Sequence, residues 1–460
     1  MPVSRRDFLL AAGVVTLGFV GVSRLLAKTG ASRGVAAAGP ALNLDIYGAL
    51  VRDPKGVLDL PRGFEYRLIS KMGTEMADGL LVPGASDGMA AFAGPSGKTL
   101  IVRNHEISDN DPTRGPFGQD LSRFDPARHA VFDAGAPGQM PSLGGTTTIV
   151  YDTNRGTVER EFMSIAGTTR NCAGGPTPWG SWLTCEETVV RRGDQGRAKD
   201  HGWVFEVPAT DEPTLADPTP ITGMGRFNHE AIAVDPNSGV VYLTEDRGDG
   251  LLYRYIPNTP GKMLDGGRLQ ALAIKNSPSF DTRNWSSPAM QAGTTVEAIW
   301  IDVDAVDAPK DDLRQRGFDA GAARFARGEG IWWGNDSIYI VCTNGGPARK
   351  GQVFRLEPAT STDAADTLSL FVESHDGDIL DMPDNATVAP NGDLYLCEDG
   401  SGEQFVAGVT KEGDLFKFAR NALNTSEFAG ACFSPDGTTM FLNLQHTGLT
   451  FAITGPWRSA

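Results

Sequence analysis

From Phe64 onward the chain is a succession of short apolar runs separated by Gly, Pro, Asn and Asp. The runs are rich in β-branched and aromatic residues, which predicts strands joined by tight turns. Only Lys310 to Ala326 carries a helical spacing of apolar positions. Six segments repeat one layout, in which a polar entry is followed by an apolar strand, a turn, a second apolar strand and a polar exit. They span residues 87–104, 172–185, 230–245, 329–342, 385–398 and 431–444, and four of them have the same length. Each centre holds a turn signal such as Pro-Asn-Gly or Pro-Asp-Gly, whose residues supply the preset or positive φ of a hairpin corner. Most units are followed by a further strand: TTTIVYD, GWVFEV, LLYRYI, GQVFRL, GDLFKF and GLTFAI.

Six such units predict an all-β chain, a six-bladed β-propeller of four-stranded blades over residues 64–460, with a central channel. An insertion around 257–326 is longer than a blade needs and is expected to hold an outer strand, 296–303, and an excursion that could roof the channel. Residues 39–63 read as an N-terminal arm. A plain array of β-sandwiches is the alternative arrangement.

The first 38 residues have a different pattern. Ser4-Arg5-Arg6-Asp7-Phe8-Leu9-Leu10 precedes an apolar run from Ala11 to Val22 and then Ala36-Ala37-Ala38. This is the layout of a twin-arginine signal peptide, so the export machinery is an expected partner and the periplasm or medium the expected destination. The run is too short for a stable membrane anchor. Twin-arginine export carries folded proteins, which suits a metal centre loaded beforehand.

Composition narrows the chemistry. The net charge of -16 argues against nucleic-acid binding, which needs Lys and Arg to displace counterions. It fits a site that collects cations, or simply a solvated acidic surface. Five cysteines is an odd number for an exported chain, so at least one is unpaired or a ligand.

In a propeller, equivalent positions of different repeats converge on the channel. The entry column reads Asp87, Cys172, Glu230, Glu329, Asn385 and Ala431. The exits read Asn104-His105-Glu106, Cys185-Glu186-Glu187, Glu245-Asp246, Cys342-Thr343-Asn344, Glu398-Asp399 and Gln445-His446. Carboxylate and amide oxygens suit hard cations such as calcium, and a thiolate adds affinity for a softer transition metal. Carboxylates crowded into a desolvated site are costly unless cations neutralise them. A multimetal site resolves that cost, and it can polarise a phosphoryl oxygen and supply a bound nucleophile. Other roles fit the same residues. Acids at strand ends also cap turns or hold one structural calcium, and Cys185, Cys342 and Cys397 end apolar strands as core thiols do. Cys172 is flanked by small residues and favours a ligand role. His105, His229 and His446 suit support of neighbouring ligands or metal binding itself. Arg327 lies two residues before Glu329, where an extended strand would put both side chains on one face, positioned to clamp a phosphate oxygen or to pair with an acid.

The twin-arginine segment, RNHE (103–106), NCAGGPTPWGSWLTCEE (171–187), GRFNHEAIAVDP (225–236), ARGEGIWW (326–333) and LYLCEDG (394–400) together resemble the PhoX-type alkaline phosphatases. The resemblance runs from about residue 45 to the C-terminus. It implies a six-bladed propeller that acts as an exported, monomeric phosphomonoesterase. It implies two ferric ions and up to three calcium ions, with an oxygen bridging metals as nucleophile. Carried onto this chain, the iron-bound thiolate is Cys172, Glu230 and Glu329 are carboxylate ligands, and Arg327 binds phosphate. Glu186, Glu187, Glu245, Asp246, Glu398 and Asp399 form the pool of further metal ligands. Two other readings fit the same pattern: a calcium-dependent propeller lactonase or esterase, and a non-catalytic binding propeller stabilised by calcium.

Overall fold

A computed structural model describes residues 42–108, 111–359 and 364–459. The twin-arginine segment therefore lies outside the described residues. Among the described residues no helix is long and apolar enough to cross a membrane.

The fold is all-β and propeller-like, built of antiparallel strands. Strands Ser86–Ala93, Lys98–His105, Gly144–Asp152 and Thr157–Thr168 form one four-stranded sheet. Asn171–Pro176, Ser181–Glu186 and Val204–Pro208 form a three-stranded one. Phe428–Phe433, Thr439–Leu444 and Leu449–Thr454 are completed by Glu65–Lys71, so an N-terminal strand and the C-terminal strands close the ring. The arm is also held in place. Its strand Leu58–Pro61 extends the sheet ending in Leu415–Asn421, giving six strands there.

The six separate four-stranded blades expected from the repeats are not what the sheets show. There are four blade-like sheets and one ten-stranded sheet. The insertion causes the fusion. Its strand Thr295–Asp302 pairs on one side with Gly267–Ile274 and on the other with Asp366–Glu373, joining the outer edges of two neighbouring repeats. An edge that would otherwise expose unpaired N–H and C=O groups is thereby satisfied on both sides. The helical spacing at 310–326 becomes one short helix, Leu313–Asp319.

The innermost strands of the six repeats pack side by side in sequence order, and Phe428–Phe433 returns to Ser86–Ala93. Each carries an irregularity at the same place. Its register against the second strand shifts between Ser86 and Met89, Asn171 and Gly174, His229 and Ile232, Gly328 and Ile331, Pro383 and Ala386, and Ala429 and Cys432. Such bulges bend a strand and re-aim a side chain. The second residue of the bulge meets the next inner strand. A Cβ on Gly330 would lie 2.5 Å from the Asp384 carbonyl oxygen, and one on Gly88 2.6 Å from Ala173 Cα. Gly330→Ala is therefore expected to destabilise the fold by about 1–3 kcal/mol, the usual cost of overpacking, measured as a lowered midpoint of chemical denaturation. An unchanged midpoint would contradict the close approach.

Candidate functional site

The first residue of each bulge is Asp87, Cys172, Glu230, Glu329, Asp384 and Gly430 in the six repeats. For the first four repeats these are the residues expected from the sequence. The fifth and sixth differ by one: Asp384 rather than Asn385, and Gly430 rather than Ala431. Asn385 instead donates to Asp384 through its own amide and accepts from the Gly430 N–H at 2.6 Å, tying two repeats together. The correction adds a carboxylate to the centre. Glu230, Glu329 and Asp384 offer oxygens that all lie within 4.8 Å of one another, and so do Asp384, Asp399 and Glu427. Asp384 belongs to both trios. Cys172 adjoins them: its buried Sγ lies 3.5 Å from the Glu230 carbonyl and 3.3 Å from that of His229.

The exit positions sort by strand alternation. In each acidic pair the first residue points behind the channel wall and meets protein partners. Glu186 accepts from the N–H groups of Thr169, Gly202 and Trp203, and its Oε1 lies 2.6 Å from His201 Nδ1. Glu245 accepts from Tyr253 Oη at 3.0 Å and the Leu251 N–H. Glu398 binds Lys417 Nζ at 2.6 Å. Glu186, Glu245 and Glu398 therefore lie apart from the carboxylate cluster, contrary to their place in the expected ligand pool. The second residue of each pair, Glu187, Asp246 and Asp399, faces the centre. Period-two alternation accounts for the split. His105 and His229 are also buried behind the wall, on the carbonyls of Gly84 and Gly225.

Two guanidinium groups stand among these acids. Arg327 makes a bidentate pair with Asp246, 2.8 Å from Nε and 2.9 Å from Nη2, and Nη2 also donates to Glu329 at 2.5 Å. Its nearness to Glu329 does not come from an extended strand. Arg327 has φ +51°, and the strand begins at Gly328. Arg170, two residues before Cys172, repeats the device. It has φ +50° and donates to Glu106 at 2.8 Å and Glu187 at 2.6 Å. A left-handed backbone costs about 1 kcal/mol or more for a non-glycine residue. Ala85 and Met382 stand at the same repeat position, two residues before Asp87 and Asp384, with φ +46° and +50°, so the left-handed turn belongs to the repeat and the two arginines use it to reach the acids. Glu106 and Asp87 complete the ring through Gln445, whose amide donates to both at 2.9 Å. Asp384, Glu427 and Arg170 were not singled out from the sequence. Asp384 was legible as the acid beside Asn385, and Arg170 from its spacing to Cys172.

The family profile of alkaline phosphatase PhoX matches residues 46–157 and 152–448. The chain belongs to the PhoX alkaline phosphatase family. Among solved structures, PhoX of Pseudomonas fluorescens in complex with vanadate, described as a transition-state analogue, aligns at TM-score 0.65 and 19% identity, over 91% of this chain and 98% of that one. At this identity the likeness concerns the fold. A gluconolactonase from Xanthomonas campestris aligns at TM-score 0.40 and 11% identity, over 85% of this chain and 98% of that one. No curated protein matches.

The electrostatics of this PhoX-family centre test whether cations fit it. Glu230, Glu329 and Asp87 are pushed well above the ordinary carboxylate range, first by desolvation and then by their acidic neighbours. Desolvation, Asp399 and Asp246 push Asp384 up to about 7 against the pull of Arg327. Burial and the carboxylates of Asp399 and Asp384 push Glu427 up to about 12. Burial and Glu230 likewise push the Cys172 thiol up. Glu230 Oε2 is buried without a hydrogen-bond partner among the described residues. Two carboxylates this close repel by about 3–4 kcal/mol at an effective dielectric constant of 20. An orphaned buried oxygen amid an excess of hard-oxygen donors and one thiol suits bound cations.

Raised carboxyl pKa values favour the folded state below the unfolded value near 4 and act against it as pH rises toward the folded value. Chelated protein is therefore expected to melt at progressively lower temperature as pH rises from about 4 through the region of Asp384. Calcium added back should flatten that slope by replacing protons with metal. A melting temperature independent of pH and of calcium would contradict this picture of the centre.

Proposed function

We propose that the chain is an exported, metal-dependent phosphatase that hydrolyses phosphate monoesters in the channel of a propeller. In this reading the ten-stranded sheet counts as two blades joined at their rims, giving six. Family membership supports the class of activity. The observation that carries it further is the convergence of Glu230, Glu329, Asp384, Asp399 and Glu427 beside Cys172 and Arg327.

Cys172, Glu230, Glu329 and Asp384 would hold the inner cations, and Asp384, Asp399 and Glu427 the outer ones. Iron on the thiolate side and calcium on the all-oxygen side follow ligand preference. Bound, they would neutralise the acids and act as Lewis acids on a phosphoryl oxygen.

The protein's own groups do the positioning. Arg327, held through Nε and Nη2 by Asp246 and Glu329, keeps the two N–H donors of Nη1 for a phosphate oxygen. Its bidentate pair with Asp246 prevents the guanidinium from swinging away, so little reorganisation is needed when charge builds up on the phosphoryl group. Arg170 bridges Glu106 and Glu187 through one nitrogen, Nη2, offsetting their mutual repulsion, and is the second guanidinium within the ring. The buried carboxylates behind the wall, Glu186, Glu245 and Glu398, keep the strand ends in place through His201, Tyr253 and Lys417.

The direct test is turnover of 4-nitrophenyl phosphate by purified protein. Activity is expected, and chelation should abolish it. Arg327→Ala should lower kcat/KM by about 10²-fold, as loss of a preorganised charged donor does. Unchanged turnover after thorough chelation would refute the metal-dependent reading.

A further inference from the structure

The insertion returns to the channel mouth and builds a stack there. Trp285 stands between two guanidinium groups, with Arg283 Cζ 4.1 Å and Arg349 Cζ 3.8 Å from its ring centroid. The indole N–H donates to the Asn344 carbonyl at 2.7 Å, which fixes the ring. Arg283 is fully engaged: its Nη2 donates to Asp281 at 2.6 Å and its Nη1 to the Gly248 carbonyl at 2.8 Å. Arg349 is different. It is exposed, and among the described residues its guanidinium makes no hydrogen bond or ion pair, only the stack on Trp285.

The stack lies beside the carboxylate centre. The Thr343 N–H donates to the Arg327 carbonyl at 3.1 Å, and the next residue, Asn344, is the acceptor for Trp285. The Gly346 N–H donates to the Arg283 carbonyl at 2.9 Å. On the other side, the Met382 N–H donates to the Lys350 carbonyl at 2.9 Å, two residues before Asp384. The loop carrying Arg349 thus spans the rim between Arg327 and Asp384. With neighbouring Cα atoms ~3.8 Å apart, the stack is on the order of 10 Å from Arg327.

A guanidinium on an indole face is held by the ring quadrupole while its in-plane N–H donors stay available. Those donors match an oxyanion in the plane of the fork. Elsewhere the mouth is lined by acids and by Arg170 and Arg327, each already paired to two carboxylates, so an anionic leaving group would meet net repulsion there. We propose that Arg349, held on Trp285, is a subsite for an anionic group on the leaving-group side of the ester. The preferred substrates would then be monoesters whose alcohol carries a carboxylate or a second phosphate. This rests on the phosphomonoesterase reading above.

The test compares kcat/KM for 4-nitrophenyl phosphate and for the same ester bearing a ring carboxylate, at low ionic strength. The ratio of carboxylated to plain ester is expected to fall about tenfold in Arg349→Gln, the scale of one charge-assisted hydrogen bond. Trp285→Leu should lower the ratio similarly by releasing the guanidinium, while Arg349→Lys should keep part of it. Salt should shrink the wild-type ratio toward that of Arg349→Gln, a readout that needs no variant to fold. Should neither ester be turned over, the phosphatase reading itself fails. Turnover of both esters with the same ratio in wild type and Arg349→Gln would overturn the subsite alone.

Discussion

Like charges forced together at the mouth of a closed ring are the constraint on which the rest of this structure depends. Six inner strands each bulge at one position, and five of the six bulges present an acid or a thiol to the same small volume. Left uncompensated, that convergence opposes folding. Two features offset it within the chain. Arg327 and Arg170 are locked in left-handed conformations that place each guanidinium between two carboxylates. The carboxyls that remain bind protons more tightly than usual, as the upward shifts of Glu230, Glu329 and Asp384 show. In the metal-dependent reading, cations would take over from protons at these oxygens.

The scaffold explains why the site has one side. Alternation sends every first acid of an exit pair behind the wall and every second acid into the centre. Behind the wall, Glu186 meets His201, which also lies 3.1 Å from Asp133, and the whole group is buried. Such hydrogen-bonded supports hold the channel-facing residues in place. They resemble ligands in the sequence and act as a foundation in the fold.

Much of this was legible in the residues. The repeats, the propeller-like architecture and the convergence of Cys172, Glu230 and Glu329 all followed from spacing, because turn signals and polar strand ends recur at fixed intervals. What escaped has physical reasons. The bulge register depends on neighbouring strands, so Asn385 looked like the column residue when Asp384 occupies it. Adjacent acids such as Glu186-Glu187 carry no mark of which one faces inward until strand pairing is known. The fusion of two repeats by residues 295–302 is a long-range pairing choice made by an insertion that breaks the repeat.

The measurement that bears most directly on the charge constraint is elemental analysis by mass spectrometry of the purified native chain beside Asp384→Asn. Asp384 serves both carboxylate trios, so its loss should reach every cation they hold. Several metal ions per chain in the native protein, with iron and calcium among them and most lost in Asp384→Asn, is the expected result. A native chain that is folded at alkaline pH yet free of metal would contradict the claim that cations let these carboxylates coexist.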